Sequence, residues 1–428
     1  MIAAMAMFQP EIESMPRAQL GALQLERLQA TIARLRDRVP PMAERLGDLP
    51  DPTSLTEIAQ YPLLRKADLR DHYPFGLFAE PRENVARVHA SSGTTGKPTV
   101  VGYTNDDLDV WSDCVARNLI GAGIAPGEML HNAYGYGLFT GGLGLHQGAE
   151  RAGISVVPVS GGNTERQLML IEDFKPESIC CTPSFALTLA ERLGSAARNT
   201  SLKVGVLGAE PWTEAMRQEI EERLNIVAVN IYGLSEVIGP GVSCESALRD
   251  GLVIAEDHFY PEIVDADSGE VLPDGEVGVL VLTSLTKQAF PVLRYWTGDL
   301  CSLTREPDAD GRTHARMSAI VGRADDMLVI RGVNVYPSQV EHALLKVDGV
   351  SPHFQLVVQR NGPLDSLHVR VEPAPGVATA DPAALGPAVV EQLRSSLGLG
   401  VTVAVEGEGA VPRSEGGKLN RVSDQRHL

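Results

Sequence analysis

Residues 91–97 read Ser-Ser-Gly-Thr-Thr-Gly-Lys, a run of hydroxyls and glycines that ends in a lysine. Glycines let backbone N–H groups approach an anion, hydroxyls donate further hydrogen bonds, and the ammonium of Lys97 adds a positive charge. The run is not a Walker A loop, because only two residues separate Gly93 from Gly96 and Pro98 stands where a helix would begin. The composition indicates a phosphate-binding loop of another kind.

Two short β-type runs flank this loop, at residues 85–89 and 99–103. The sequence therefore predicts that the loop joins two strands. A run of Gly, Ser and Thr is more often a solvated linker than a binding loop. The lysine, the flanking strands and the motifs described below favour phosphate binding.

Short apolar runs alternate with helix-like segments between residues 128 and 283. The candidate strands of this region are residues 154–159, 178–182, 203–207 and 226–231. Such alternation is typical of βαβ units and predicts an α/β fold with a parallel or mixed sheet. Ser184 is predicted to cap a helix over 185–193, and Thr213 is predicted to cap the next helix.

The ends of the chain differ in character from this central region. Residues 18–39 have strongly helical composition, and prolines interrupt the stretch that follows. Near residue 322 a small α+β pattern begins, with predicted helices at 338–345 and 387–396. The predicted organisation is a helical leading subdomain at 1–80, an α/β domain at 81–324 and an α+β domain at 325–428.

The composition is that of a globular protein, with 428 residues of which 43% are hydrophobic and 21% are charged. A formal net charge of −18 argues against nucleic-acid and membrane partners, since these need clustered Lys and Arg. We expect a cytoplasmic protein, because the sequence shows neither a signal peptide nor a run of about 18 apolar residues. Five cysteines without a CxxC pair fit the same reducing compartment.

Further clusters place polar or charged groups beside glycines. The runs 208–212 (Gly-Ala-Glu-Pro-Trp) and 232–236 (Tyr-Gly-Leu-Ser-Glu) each follow a predicted strand, where α/β sheets bind ligands. The run 295–300 (Tyr-Trp-Thr-Gly-Asp-Leu) places one carboxylate after a tight turn. The run 412–418 (Pro-Arg-Ser-Glu-Gly-Gly-Lys) places one lysine on a glycine-rich loop. Each cluster is weak evidence alone, and their order along the chain is the informative feature.

With the loop at 91–97, this order resembles the adenylate-forming superfamily of acyl-CoA synthetases and, within it, the phenylacetate-CoA ligase family. The marks of that family are residues 134–142, 232–242, 256–262 and 325–335. The resemblance implies a large N-terminal α/β adenylating domain and a small mobile C-terminal α+β domain, with the hinge at Asp325. It implies an AMP-forming aryl-acid or arylacetate CoA ligase, which activates an aromatic carboxylic acid with Mg-ATP and then transfers the acyl group to coenzyme A.

Alternatives remain at this point. Some relatives activate benzoates, aminobenzoates or hydroxyanthranilates and load them onto the phosphopantetheine thiol of a carrier protein. A nucleotide-binding protein with degenerate catalysis is a third interpretation, against which the presence of both Glu236 and Lys418 argues. The oligomeric state is also undetermined at this point, and a homodimer is one alternative.

The resemblance also implies residue roles. Lys418 would reach between the acid carboxylate and the α-phosphate, Glu236 would bind Mg²⁺, and Asp299, assisted by Arg323, would accept hydrogen bonds from the ribose. The ATP and AMP contacts would come from Ser91, Ser92, Thr94, Thr95, Lys97, Gly208, Ala209, Glu210, Pro211, Tyr232, Gly233, Asp299 and Arg323. The acid pocket would be lined by Tyr136, Phe139, Ile238, Gly239 and Pro240. Tyr136 and Phe139 are equally compatible with core aromatics.

No structural zinc is expected. Some relatives bind zinc through cysteine and histidine, and the corresponding positions here hold Ser246, Val253 and the run 308–310 (Asp-Ala-Asp). The remaining candidate ligands, which lack a paired motif, are Cys244, His258 and Cys301.

Overall fold

The computed structural model describes residues 6–91, 98–324, 328–331, 333–361, 364–374, 382–407, 409–413 and 421–426. The chain forms two compact units. The first lies within Met1–Cys181, Thr200–Ala209 and Ile226–Ala319, and the second within Thr182–Asn199, Glu210–Asn225 and Ile320–Leu428. Both units contain helices and strands, so the predicted mixed α/β fold is confirmed.

The α-helices of the described residues are α1 (Pro10–Glu13), α2 (Arg17–Arg38), α3 (Pro40–Leu46), α4 (Lys66–Asp71), α5 (Asn105–Gly121), α6 (Gly141–Arg151), α7 (Thr164–Phe174), α8 (Pro183–Leu193), α9 (Glu214–Leu224), α10 (Pro337–Leu344) and α11 (Pro382–Leu397). Short 3-10 helices lie at Leu55–Gln60, Arg82–Asn84 and Gly194–Asn199.

The strands are β1 (Arg87–Ser91), β2 (Thr99–Tyr103), β3 (Met129–Asn132), β4 (Ser155–Val157), β5 (Ser178–Cys181), β6 (Val204–Gly208), β7 (Val227–Leu234), β8 (Gly239–Glu245), β9 (Leu252–Ile254), β10 (Phe259–Val264), β11 (Gly278–Ser284), β12 (Tyr295–Cys301), β13 (Leu303–Thr304), β14 (Arg316–Met317), β15 (Gly322–Arg323), β16 (Leu328–Ile330), β17 (Val333–Val335), β18 (Val350–Asn361), β19 (Leu364–Pro373), β20 (Thr402–Val405) and β21 (Val422–Asp424).

The first unit contains a mixed sheet whose strands, among the described residues, run in the order β13-β14-β9-β8-β7-β6-β5-β3-β4. Strands β4, β3, β5, β6 and β7 are parallel to one another, and β7 is antiparallel to its other neighbour, β8. The four predicted strands are confirmed as β4, β5, β6 and β7. Because β6 and β7 are parallel, the residues that follow them meet at one edge of the sheet.

Strands β1 and β2 form an antiparallel hairpin in which Ser91 pairs with Thr99. The prediction that residues 91–97 join two strands is therefore confirmed. Residues 92–97 themselves lie outside the described residues.

Helix α2 confirms the helix predicted over residues 18–39. Apolar residues on one face are completely buried, and they are Leu20, Leu28, Ile32 and Leu35. Their recurrence at about one or two helical turns is the pattern of a helix that packs on one side. The helix ends at Arg38, because Pro40 disfavours helical geometry at the residue before it.

Of the two helix caps predicted from the sequence, one is confirmed and the other is wrong. Thr213 accepts a hydrogen bond from the backbone N–H of Met216 at 3.2 Å, as predicted. The cap of α8 is Thr182 rather than Ser184, because Pro183 occupies the first helical position, which proline favours.

In the second unit, four strands form a sheet in the order β20-β19-β18-β21. Its core includes Ile330, Val340, Leu356, Val369 and Leu393. Helix α11 begins at Pro382, so the predicted start at residue 387 was wrong and Pro387 lies within the helix. The prediction of a small α+β region near the C-terminus is confirmed, while the three segments predicted from sequence stay a proposal.

Candidate active site

The turn between β7 and β8 places a carboxylate beside an apolar segment. The backbone turns tightly, since a Cβ on Gly233 would lie 1.8 Å from the carbonyl oxygen of Gly239. Glu236 is only 5% exposed, and its Oε1 lies 3.4 Å from Nζ of Lys66. Lys66 is the first residue of α4, where the helix dipole disfavours a cation, so the pairing offsets an unfavourable position. The carboxylate of Glu236 is a hard oxygen ligand of the kind that Mg²⁺ prefers.

Two of the predicted nucleotide residues are in direct contact. The hydroxyl of Tyr232 donates a 2.7 Å hydrogen bond to Oδ2 of Asp299. The turn before Asp299 has Gly298 at φ +82°, and the backbone N–H of Asp299 donates to Oγ1 of Thr297 at 3.0 Å. Burial and the charge of Asp299 raise the pKa of Tyr232 well above its usual value, so the phenol stays a donor. The hydrogen bond to Tyr232 therefore fixes the position of the Asp299 carboxylate.

The residues after β6 form a strained turn. A Cβ on Gly208 would lie 2.1 Å from the carbonyl oxygen of Ile231, so the position requires glycine. The N–H of Gly208 donates to the hydroxyl oxygen of Tyr134 at 2.9 Å. Ala209 has φ +69°, a conformation that costs a non-glycine residue about 1–3 kcal/mol. Strain held by its surroundings is typical of ligand sites.

Three of the predicted nucleotide residues lie in the second unit. Oε2 of Glu210 accepts hydrogen bonds from Oγ of Ser184 at 2.6 Å and from its N–H at 3.3 Å, near the start of α8. This contact was not predicted from the sequence. Pro211 is exposed, and Arg323 is half-buried on β15. Nucleotide roles for these three residues stay predictions.

The segment 134–142 contacts the turn that carries Glu236. Oγ1 of Thr140 lies 3.1 Å from Oγ of Ser235, and both residues are buried. Phe139 is 52% exposed, which excludes a core position for this aromatic residue. The two predicted walls of the acid pocket therefore meet through side chains.

The hydroxyl of Tyr136 is already engaged. It accepts a 2.8 Å hydrogen bond from Nδ2 of Asn132 and lies 3.1 Å from Nδ1 of His146. Burial raises its pKa, so the hydroxyl stays protonated. At Tyr136, the ring rather than the hydroxyl is available to contact a bound acid.

Lys287 is a buried cation close to this region. It is 4% exposed, its Nζ lies 3.4 Å from the centre of the Tyr103 ring, and Nζ has no hydrogen-bond partner among the residues that the structure describes. Burial lowers the pKa of Lys287 from 10.5 to about 7, although the charge of Asp107 opposes the change. The cation–π contact and Asp107 offset only part of the cost of burying this group.

We expect the substitution Lys287→Met to raise the free energy of unfolding most at low pH. Between pH 7 and 10.5 the unfolded chain binds a proton at Lys287 that the folded chain does not, so wild-type stability rises with pH across this window. At ~1.4 kcal/mol per pKa unit, the variant should be more stable by a few kcal/mol at pH 6. Urea denaturation at pH 6, 8 and 10 should show this difference shrinking.

Lys203→Met is the matched control, since the Lys203 side chain is 64% exposed. Its difference from wild type should stay constant across the same pH range. A Lys287→Met difference that is also constant with pH would contradict the lowered pKa.

The remaining predicted residues lie outside the described part of the chain. They are Ser92, Thr94, Thr95, Lys97, Asp325 and Lys418. The described residues contain no group of three or more His, Cys, Asp or Glu that could hold a metal ion. The expectation that the protein lacks structural zinc stays a prediction. No helix in the described ranges is long and apolar enough to cross a membrane.

The fold and the site together define an AMP-binding enzyme. Residues 64–286 match the AMP-binding enzyme family, and residues 332–426 match the AMP-binding enzyme C-terminal domain. A crystal structure of 2-hydroxyisobutyryl-CoA ligase in the postadenylation state superposes with a TM-score of 0.90 at 28% identity, covering 97% of this chain and 92% of that chain.

Curated relatives narrow the class. The phenylacetate-coenzyme A ligase of Thermus thermophilus is 56% identical over 98% of this chain and 100% of its own length. The enzyme of the same name from Escherichia coli is 50% identical over 97% of both chains. The chain belongs to the phenylacetate-CoA ligase family of acid-thiol ligases, and the resemblance found in its motifs is confirmed.

Two cations that lie near the site were not predicted from the sequence. Lys66 pairs with Glu236, and the guanidinium of Arg65 lies 4.1 Å from the centre of the Trp296 ring. Both residues come about 170 or more positions before their partners. The one local signal is a pair of cations at the start of a short helix, an unfavourable place that suggests a specific partner.

Proposed function

We propose that this enzyme converts phenylacetate, or a close arylacetate, and coenzyme A to the thioester while cleaving ATP to AMP and pyrophosphate. The observation that supports this most is the turn after β7, where Glu236 is followed within four residues by Ile238, Gly239 and Pro240. An aryl group needs apolar surroundings, while its carboxylate must meet the charged phosphates of ATP. This turn offers both environments side by side.

The proposed acid is an unsubstituted arylacetate because the candidate pocket offers few polar groups to read a substituent. Ile238 is buried, Gly239 adds no side chain, and the hydroxyl of Tyr136 is engaged with Asn132 and near His146. A hydroxyl or amino substituent would lose its hydration without gaining a partner there.

The nucleotide would lie along the edge of the sheet at which β6 and β7 both end. We assign Asp299, held by Tyr232, to the ribose hydroxyls and the strained turn at Gly208 and Ala209 to the adenine. Ser91 and the remainder of the loop 91–97 would contact the β- and γ-phosphates. Glu210, Pro211, Gly233 and Arg323 complete the proposed nucleotide contacts.

Glu236 fits the binding of Mg²⁺, since its buried carboxylate supplies an oxygen ligand next to the proposed phosphate site. When bound, the ion would neutralise charge on the phosphates that the acid must approach. Lys66 would compensate the charge of Glu236 in the absence of nucleotide.

The two half-reactions need different partners at the same acyl group. We assign Lys418 to the first, where its ammonium would lie between the acid carboxylate and the α-phosphate. A swing of the C-terminal domain about Asp325 would then expose the adenylate to the thiol of coenzyme A. We also propose that the enzyme is cytoplasmic, in keeping with its five free cysteines. It would act as a single chain or as a homodimer.

A pyrophosphate-release screen tests the substrate. Phenylacetate should give the highest kcat/KM in a panel with benzoate, hydroxybenzoates and aminobenzoates, with thioester formed only when coenzyme A is present. If no aromatic acid stimulates pyrophosphate release, the proposal is wrong. Accumulation of acyl-adenylate despite coenzyme A would instead indicate a carrier-protein acceptor.

A further inference from the structure

Three buried side chains pack together behind the proposed acid pocket. His89 on β1, Tyr103 on β2 and Trp111 on α5 are each at most 1% exposed. The rings of Tyr103 and Trp111 are stacked, with centroids 4.9 Å apart and planes 15° apart. The His89 ring meets both edge-on, at 5.5 and 5.7 Å. We call these three residues the aromatic cluster.

Two members of the aromatic cluster hold the wall after β7. The hydroxyl of Tyr103 donates to the carbonyl oxygen of Ile238 at 2.8 Å. The indole N–H of Trp111 donates to the carbonyl oxygen of Pro240 at 2.6 Å. The cluster therefore fixes the backbone on either side of Gly239.

The third member holds the opposite wall. Nδ1 of His89 lies 2.9 Å from the carbonyl oxygen of Leu138, which also accepts from the N–H of Ala90 at 2.9 Å. A carbonyl can only accept, so Nδ1 of His89 carries the proton. The aromatic cluster thus binds both segments that we assign to the acid pocket, through one backbone carbonyl for each of its three residues.

The fit around Gly239 leaves little freedom. Gly239 has φ +113°, and a Cβ there would lie 2.5 Å from the Trp111 ring. On the helix α6 side, a Cβ on Gly144 would lie 2.3 Å from the same ring. Trp111 is therefore seated between two glycines, and a shift of its ring would move the wall with it.

The Tyr103 ring is itself held from the other direction. The ammonium of Lys287 lies over its face, and the segment of Lys287 is fixed by Asp107. The carboxylate of Asp107 accepts from the backbone N–H groups of Gln288 and Ala289 at 2.6 and 2.9 Å. The ring position is thus set by packing on one face and by the Lys287 side chain on the other.

We propose that Tyr103 is a positioning residue for acid recognition, which acts through the Ile238 carbonyl to fix the width of the acid pocket. This inference rests on the proposed function and names a residue that does not itself contact the acid. Removing the hydroxyl would leave a buried carbonyl without its partner, so the wall would relax. Asp299 on β12 and the turn at Gly208 and Ala209, which we assign to the nucleotide, lie on other segments and would keep their positions.

Tyr103→Phe tests this proposal because it keeps the ring and removes only the hydroxyl. We expect the KM for phenylacetate to rise about tenfold, with the KM for ATP and kcat changed less than about twofold. The ratio of kcat/KM between phenylacetate and the longer 3-phenylpropionate should also fall. An unchanged acid KM, or an equal rise in the KM for ATP, would overturn the proposal.

Tyr61→Phe is the matched control. Tyr61 is also buried and its hydroxyl donates to a backbone carbonyl, that of Pro50, at 2.6 Å. It should lose comparable thermal stability while both KM values stay unchanged. A rise in the acid KM for Tyr61→Phe as well would show a general effect of destabilisation and would overturn the proposal.

A second pair of variants tests the opposite wall independently of whether Tyr103→Phe folds. His89→Leu removes the donor to Leu138 and should raise the acid KM, whereas His89→Asn supplies an amide donor near the Nδ1 position and should restore it. Equal acid KM values for the two variants would contradict the role of the aromatic cluster. If the wild-type enzyme turns over no arylacetate, the proposed function is refuted. That outcome can be distinguished from the results that would contradict the role of Tyr103 or of the aromatic cluster.

Discussion

Replacing Lys418 with alanine is expected to lower the rate of acyl-adenylate formation by about 10²–10³-fold. In that step a carboxylate attacks an α-phosphate, so two anions approach, and an ammonium between them stabilises the transition state more than the separated reactants. The same change should alter the conversion of supplied phenylacetyl-AMP and coenzyme A to thioester less than about threefold. Lys418 would act in the first half-reaction alone.

The described residues on both sides of residues 414–420 are firmly held, although Lys418 lies outside the described residues. Nη2 of Arg413 lies 2.6 Å from Oε2 of Glu372, and Nη1 of Arg421 lies 2.6 Å from Oε1 of Glu341. Both carboxylates are almost completely buried, so each ion pair holds the arginine that takes part in it.

The experiment measures acid-dependent pyrophosphate release and, separately, thioester formation from synthetic phenylacetyl-AMP. Lys346→Ala, an exposed lysine in the same unit, is the control and should change neither rate. Equal losses in both half-reactions for Lys418→Ala would refute the division between the two steps.

Local signals predicted the elements that surround the site. The β-type runs on both sides of residues 91–97 formed β1 and β2, and Thr213 capped α9, because each depends on neighbours within a few positions. The cap of α8 was misplaced by two residues, since Thr182 and Ser184 both carry hydroxyls and only the position of Pro183 separates them.

Contacts between distant segments account for what the sequence could not predict. Tyr103 and Ile238 are 135 positions apart, and no periodicity connects a tyrosine on one hairpin with a carbonyl on another turn. Glu210 was assigned to the nucleotide, yet its carboxylate contacts Ser184 near the start of α8, a partner 26 positions away. The motifs predict which segments meet the ligand, whereas the side chains that hold those segments came from the fold.

The second large effect on activity is expected from a substitution of Asp299, because its two carboxylate oxygens have different hydrogen-bond partners. Oδ2 accepts from the hydroxyl of Tyr232, and the carboxylate is proposed to accept from the ribose hydroxyls of ATP. Hydrogen bonds to a charged acceptor contribute about 1.5–3 kcal/mol each. An asparagine keeps the size of the side chain and one acceptor, and its amide nitrogen can only donate.

Asp299→Asn should therefore lower kcat/KM for ATP about a hundredfold, since a donor would face a ribose hydroxyl or the Tyr232 hydroxyl in place of an acceptor. The KM for phenylacetate should change less than about threefold, because the acid pocket lies on other segments. Tyr232→Phe is the control: it removes one hydrogen-bond donor to Oδ2 and keeps the carboxylate, and we expect a loss of about tenfold or less. Equal losses for the two variants would mean that Asp299 serves mainly to hold Tyr232, and the ribose assignment would fail.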